Sequence, residues 1–259
     1  MADRGYGLGV DDEPISSMAG WARTLGIFAL PVVAIAVLLT RAGWVETVAA
    51  LAALAAGFLL AGLAVLFGCA ALAVIWVRGY RGARPAAIGV LLGFGVLAAP
   101  ATGVLLGSGF PALSDITTDP GDPPAFVFAS ADRRAGDNDV AYRGARASLA
   151  QLVAYPDVAP LRVAVPPNEA HALALDLVQA RGWRILDAGK TGSAQRGRIE
   201  AVARGPVLAL SDDIVIRIRQ DGTGSRVDMR SASRFGDRDF GVNARRVQSF
   251  LADLAAATE

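Results

Sequence analysis

Cysteine, histidine and lysine each occur once in 259 residues, as Cys69, His171 and Lys190, and each scarcity closes off a chemistry. A single cysteine forms no intrachain disulfide. Cys69 also falls inside a long apolar run, so the polar C-terminal part has neither disulfide nor thiol and must be stable through its core. A Cys–His nucleophile is thereby excluded there, and a Ser–His–Asp triad would have to use His171. One histidine also excludes the usual zinc ligand sets, and no metal or cofactor motif is read elsewhere. His171 stands in Glu169–Ala170–His171–Ala172–Leu173, a helical stretch with mostly apolar neighbours. A packed or capping histidine is the reading there, ahead of a general base. The shortage of lysine is not a shortage of positive charge, because arginine supplies 24 of the 25 basic residues. In a chain so rich in alanine and glycine, that preference reads as base composition and is discounted as a functional signal.

The most telling absence is of charge between residues 20 and 107. Residues 25–39, 48–77 and 86–106 are almost free of it, and each run is bounded by arginines or a turn. A helix rises about 1.5 Å per residue, so roughly 20 apolar residues cross a hydrocarbon core of about 30 Å. The second and third runs meet that length, and the first does so if it extends from Trp21 to Thr40. Hydrophobic residues make up 53% of the chain and the mean hydropathy is +0.42, both high for a soluble protein. Three transmembrane helices are predicted over 20–107. A signal peptide is the competing reading of the first run, but Leu39–Thr40–Arg41–Ala42–Gly43–Trp44 is a poor cleavage site. No span carries an ionisable side chain in its middle, which transporters, proton relays and channels usually need, so the helices read as an anchor. Gly89–Gly93 and Gly103–Gly107 have a spacing that can bring helix backbones close together, and Pro31 and Pro100 fall within spans that tolerate them.

Loop arginines give an orientation, since they prefer the cytoplasmic side. Arg78, Arg81 and Arg84 lie between the second and third spans, whereas the first connection has only Arg41, offset by Glu46. This distribution predicts a bacterial inner-membrane protein with a cytoplasmic N-terminus and a periplasmic C-terminal domain. The expected domains are a disordered cytoplasmic tail (1–19), the transmembrane region (20–107), an extended Pro/Asp/Gly-rich linker (108–145) and a periplasmic α+β domain (146–259). From 111 to 259 there are 19 basic and 19 acidic residues, a balance that argues against general nucleic-acid binding.

Within that domain, residues 161–165 alternate as a strand. Asn168 is a suitable N-cap for a helix to Arg181, with Gly182 as its stop. Strands follow at 183–187, 198–204, 214–219 and 226–233. A last helix starts near Asp239 and carries Val242, Val247, Phe250, Leu251 and Leu254 at helical spacing. The order β-α-β-β-β-β-α predicts an antiparallel sheet with two helices on one face. In the last hairpin, pairing Arg219 with Arg226 sets Ile218 against Val227, Ile216 against Met229 and Arg217 against Asp228. A one-residue slip would oppose isoleucines to charges, so this register is strongly specified. One face then packs under the helices and the other is a charged lattice.

The densest chemistry runs from Asp228 to Arg246, with Asp212, Asp213, Arg217 and Arg219 nearby in the hairpin. Arginine forks suit carboxylate or phosphate, and the N-terminus of the last helix adds backbone donors. The candidate ligand-binding residues are Arg217, Arg219, Asp228, Arg230, Arg234, Arg238 and Asn243. Their expected ligand is an anionic envelope component, a lipid headgroup or a partner protein. On this reading, alanine at Arg230 and Arg234 abolishes capture and leaves the melting temperature near that of the wild type. The alternative is that these arginines pair with Asp228, Asp237 and Asp239 to hold the loop between strand and helix. A second function class is an enzyme acting on an anionic substrate, with Asp212, Asp213 or Asp228 as acid–base and the arginines as clamp. A third is a scaffold whose membrane helices do the binding. Asp212–Asp213 is a weak cation site, because adjacent strand residues point to opposite faces. Gly189–Lys190–Thr191–Gly192–Ser193 imitates a phosphate loop but has Arg184 where the pattern needs glycine, and reads as a hairpin turn.

Four ordered motifs carry a resemblance. They are Asp115–Ile116–Thr117–Thr118–Asp119–Pro120, Pro123–Pro124–Ala125–Phe126, Tyr155–Pro156–Asp157–Val158–Ala159–Pro160–Leu161, and the run from Arg230–Ser231–Ala232–Ser233–Arg234 to Asn243. Over roughly residues 113–254 the chain resembles domain-of-unknown-function family 1499. The resemblance implies a domain found in bacterial envelope proteins and photosynthetic lineages, often behind an anchor, with no agreed activity. It supplies no catalytic residues.

Overall fold

The structure is a computed structural model and describes residues 14–189 and 196–259. The chain divides into two compact units, Met1–Leu106 and Gly107–Glu259. Part of the expected tail and most of the Gly189–Ser193 turn lie outside the described residues.

The first unit contains α1 (Ser17–Ala42), α2 (Thr47–Arg78) and α3 (Ala83–Gly107). All three are long and apolar enough to cross a membrane, so this is a membrane protein by helix length and composition. The first span is longer than the apolar run alone suggested, because helix geometry continues through Ser17–Trp21 and Arg41. The helices meet through small residues. A Cβ added at Gly89 would fall 2.4 Å from the backbone carbon of Ala22 in α1, and one at Gly93 would fall 2.6 Å from the Ala61 carbonyl oxygen in α2. Gly103 has open space around it, so only the first of the two glycine pairs is at a helix contact.

The second unit is an antiparallel sheet with helices. Its elements are β1 (Asp115–Thr117), α4 (Phe128–Asp132), α5 (Ala145–Ala154), β2 (Leu161–Val163), α6 (Pro167–Ala180), β3 (Arg184–Asp187), β4 (Arg196–Arg204), β5 (Ser211–Asp221), β6 (Gly224–Ser233) and α7 (Val242–Ala257). The strands lie in the order β1-β6-β5-β4-β3, and β2 shares the β6 edge with β1. From β2 onwards the sequence order is the expected one. In the β5–β6 hairpin, Arg219 faces Arg226, Ile218 Val227, Arg217 Asp228 and Ile216 Met229, the register that the side-chain period requires.

One face of the sheet carries Ile199, Ile214, Ile216, Ile218, Val227 and Met229, which pack with Ala174 and Val178 of α6 and with Val247, Phe250 and Leu254 of α7. α6 starts at Pro167, a residue whose missing N–H and fixed φ suit the first helical turn, so Asn168 lies inside the helix and does not cap it. α7 starts later than expected. Phe240 and Gly241 both have left-handed backbones, with φ of 53° and 74°, and regular helix begins only at Val242.

The expected linker over 108–145 is the main correction to the architecture. Its β1 is a sheet strand, its α4 packs on the other face of the sheet, and α5 begins at its end. Gln151 of α5, fully buried, completes the outer edge of β1: its side-chain amide donates to the Thr117 carbonyl and accepts the Thr117 N–H, at 2.6 and 3.0 Å. The prolines read as an extended connection, but these residues are bound into the domain by side chains distant in sequence.

Candidate functional site

Residue parity on the strands sends the charged side chains to both faces of the sheet. On the face away from α6 and α7, Asp228 of β6 lies fully buried beneath three arginines. Its carboxylate accepts from Arg217 at 3.0 Å, Arg219 at 2.8 Å and Arg226 at 3.0 Å. The outer ends of these arginines meet two further carboxylates from the segment after β1. Asp119 accepts from Arg226 at 2.7 Å, and Asp122 accepts from Arg217 at 3.0 Å and Arg219 at 3.1 Å. Three guanidinium groups and three carboxylates therefore form one balanced lattice, with its outermost carboxylate, Asp122, 67% exposed.

Arg230 is only 2% exposed. It grips Asp115 of β1 with two parallel hydrogen bonds of 2.9 and 2.7 Å, and donates to the carbonyls of Pro124 and Val140. The rings of Phe126 and Tyr142 lie 4.6 and 5.4 Å from the guanidinium carbon. Arg234 donates to Asp213 at 2.6 Å and to Asp132 at 2.8 Å, while Arg133 reaches the second oxygen of Asp213 at 2.7 Å. The hydrogen bond from Arg184 holds the Asp132 carboxyl below the usual aspartate range. Three of the four motifs quoted above thus converge on the Arg230 and Arg234 pairs, where they fasten the segment 115–140 to the sheet.

Asn243 belongs to the helix-covered face. Its amide accepts from Ser231 at 2.7 Å and donates to the Ser114 carbonyl and the Ser233 hydroxyl, joining α7, β6 and the start of β1. Next to it Arg246 pairs with Asp212 at 2.5 Å. Asp212 and Asp213 do face opposite sides, as strand alternation requires. Asp239 forms no ion pair among the described residues. Its carboxylate accepts the N–H groups of Gly241 and Asn243 at 3.0 and 2.7 Å, capping α7 from two residues further back than a standard N-cap. Burial pushes its pKa up, partly opposed by those two bonds.

The seven candidate residues therefore do not form one pocket. Arg217, Arg219 and Asp228 share the lattice. Arg230 and Arg234 hold separate buried pairs, and Asn243 is on the other face. Arg238 is exposed and donates to the Phe110 carbonyl at 3.2 Å. Loss of Arg230 or Arg234 would leave a buried carboxylate without its main partner, so a wild-type melting temperature is no longer expected for their alanine variants. The three carboxylates of the enzymatic reading are each paired, with exposures of 5% for Asp212 and 0% for Asp213 and Asp228. His171 is buried against Gly197, and its Nε2 has no hydrogen-bond partner among the described residues.

Sequence reasoning missed Glu200. This fully buried residue accepts the N–H groups of Val127, Phe128 and Ala129 at 2.8–2.9 Å, and so caps α4 from β4 on the face against which α4 packs. Its parity was available: Glu200 lies between Ile199 and Ala201, which point into the helix-covered core. Also unflagged was a groove of about 450 Å³ between residues 157–161 and α7, lined by Val158, Pro160, Leu161, Val247, Gln248 and Leu251. The remaining motif, from Tyr155 to Leu161, supplies one wall. Tyr155 itself has a buried hydroxyl without a partner among the described residues, and burial raises its pKa.

No curated protein matches the chain. A family model described as "Protein of unknown function (DUF1499)" matches residues 115–254, more than half of the chain and all of the sheet, and the protein belongs to that family.

Proposed function

We propose that this is a non-enzymatic inner-membrane protein that displays a periplasmic binding domain for an anionic envelope component. The arginines at 78, 81 and 84 support a cytoplasmic N-terminus, and three spans then carry the C-terminal domain to the periplasm. The observation that carries the binding reading is the lattice at Asp228. Its carboxylates are already neutralised, which removes the acid–base groups an enzyme would use. Its outer layer, in contrast, is an arginine pair met by a single exposed aspartate. An external carboxylate or phosphate has the charge and geometry to take the place of Asp122 between Arg217 and Arg219.

The test is native mass spectrometry of the full-length protein in mild detergent, comparing wild type with Arg217→Ala/Arg219→Ala and with Asp122→Ala. Loss of a bound anionic mass in the first variant and stronger retention in the second are expected. Identical retention in all three proteins would remove the lattice as the ligand site.

A further inference from the structure

We infer that Phe110, Arg238, Phe240 and Arg245 form a lipid-facing surface that holds the phosphate of an anionic lipid headgroup. The inference rests on the reading of an anionic envelope ligand and gives it a chemical class, but it uses a different surface from the lattice.

Chain length comes first. α3 has 25 residues, so at about 1.5 Å per residue it exceeds a hydrocarbon core of about 30 Å and its end lies among headgroups. Phe110 follows Gly107, the last residue of α3, by three positions. At no more than about 3.6 Å per residue, Phe110 remains within roughly 11 Å of that end. Whatever is fixed to Phe110 is therefore held near the lipid surface from which the chain emerges.

Three residues of the loop before α7 and its first turn are fixed there. Arg238 donates to the Phe110 carbonyl, Arg245 places its guanidinium carbon 5.8 Å from the Phe110 ring centre, and the Gly241 backbone lies against the same ring. Arg245 also donates to the Phe240 carbonyl at 3.2 Å, which ties Phe240 into the group.

The charge of this group is uncompensated. Arg217, Arg219, Arg226, Arg230, Arg234 and Arg246 all face carboxylates, whereas Arg238 and Arg245 form no ion pair among the described residues and are exposed. The nearest acidic side chains in sequence are occupied elsewhere: Asp237 pairs with Arg143, and Asp239 is turned inward as the cap of α7. Between the two arginines Phe240 is 45% exposed and has a left-handed backbone, an unfavourable conformation for an aromatic residue. Two forked donors beside a half-exposed phenyl ring, one part of which lies against the Gly107 backbone, match an anionic headgroup above the start of its acyl chains.

The test uses the full-length chain with Cys69→Ala and Phe240→Cys, carrying a nitroxide at residue 240, in nanodiscs of phosphatidylcholine with or without phosphatidylglycerol. Accessibility of the label to oxygen and to a water-soluble nickel chelate is measured, and again with Arg238→Ala/Arg245→Ala. The expected result is that oxygen access dominates in phosphatidylglycerol discs and nickel access dominates both in pure phosphatidylcholine and in the double variant. A label that is open to nickel in every case overturns the lipid contact. A label sheltered in every case overturns the headgroup site, because the tether alone would then account for it. Nanodiscs expose both bilayer faces, and Arg217 and Arg219 are untouched, so failure here leaves the lattice and the periplasmic orientation standing.

Discussion

Replacing Arg230 by alanine would strand the Asp115 carboxylate, itself only 6% exposed, and remove the guanidinium from beside the rings of Phe126 and Tyr142. Breaking a buried pair by removing one partner costs about 3–5 kcal/mol. Arg230→Ala should therefore lower the melting temperature sharply, while Arg238→Ala, at an exposed site without an ion pair among the described residues, should change stability by no more than about 0.5 kcal/mol. Thermal unfolding followed by circular dichroism separates the two, and equal melting temperatures would remove the structural role given to Arg230. Asp239 offers a different kind of test. Its pKa is raised on folding, so the folded state holds the proton more tightly than the unfolded one, and stability falls as pH rises above the ordinary aspartate value. Relative to Asp239→Asn, the wild type should lose melting temperature as pH increases through that window. A difference independent of pH, or rising with it, would contradict the assigned burial. The arginines were visible in the sequence as a charged cluster, but their state was not. Whether a guanidinium meets solvent or a carboxylate depends on Asp115, Asp119 and Asp132, which are about 100 residues away in the chain.

The β5–β6 hairpin was legible because its period of two leaves a single register that buries the isoleucines. The helices α6 and α7 were legible for the corresponding reason, with apolar residues recurring on one side. Residues 115–132 were not, since Pro120–Gly121–Asp122–Pro123–Pro124 has no period of its own. β1 is fixed by β6 and Gln151, and α4 by Glu200, none of which is local. Glu200→Gln tests that dependence. It puts an amide donor where the carboxylate meets three N–H groups, and an unsatisfied buried group costs about 1–3 kcal/mol. Amide exchange at Val127, Phe128 and Ala129 should speed up with little change across β5 and β6. Unchanged protection at these three positions would mean that α4 is held by other contacts.

At the scale of the whole molecule, the two units divide the work by composition. The first has the length and apolarity of three bilayer spans, and the second has the core, the paired charges and the exposed arginines. The spans are the most legible part of the chain, because about 20 uncharged residues admit few other readings. The groove beside α7 was not legible, since Val247 and Leu251 of α7 read as core positions and only the fold sets them against residues 157–161. Display of the domain on the periplasmic side is the claim on which the binding proposal depends. The most direct measurement is a pair of alkaline phosphatase fusions in a Gram-negative bacterium, one after Glu259 and one at Gly82 between α2 and α3. High activity is expected from the first and none from the second, because the enzyme matures only outside the cytoplasm. Activity at Gly82 and none after Glu259 would put the domain inside the cell and contradict it.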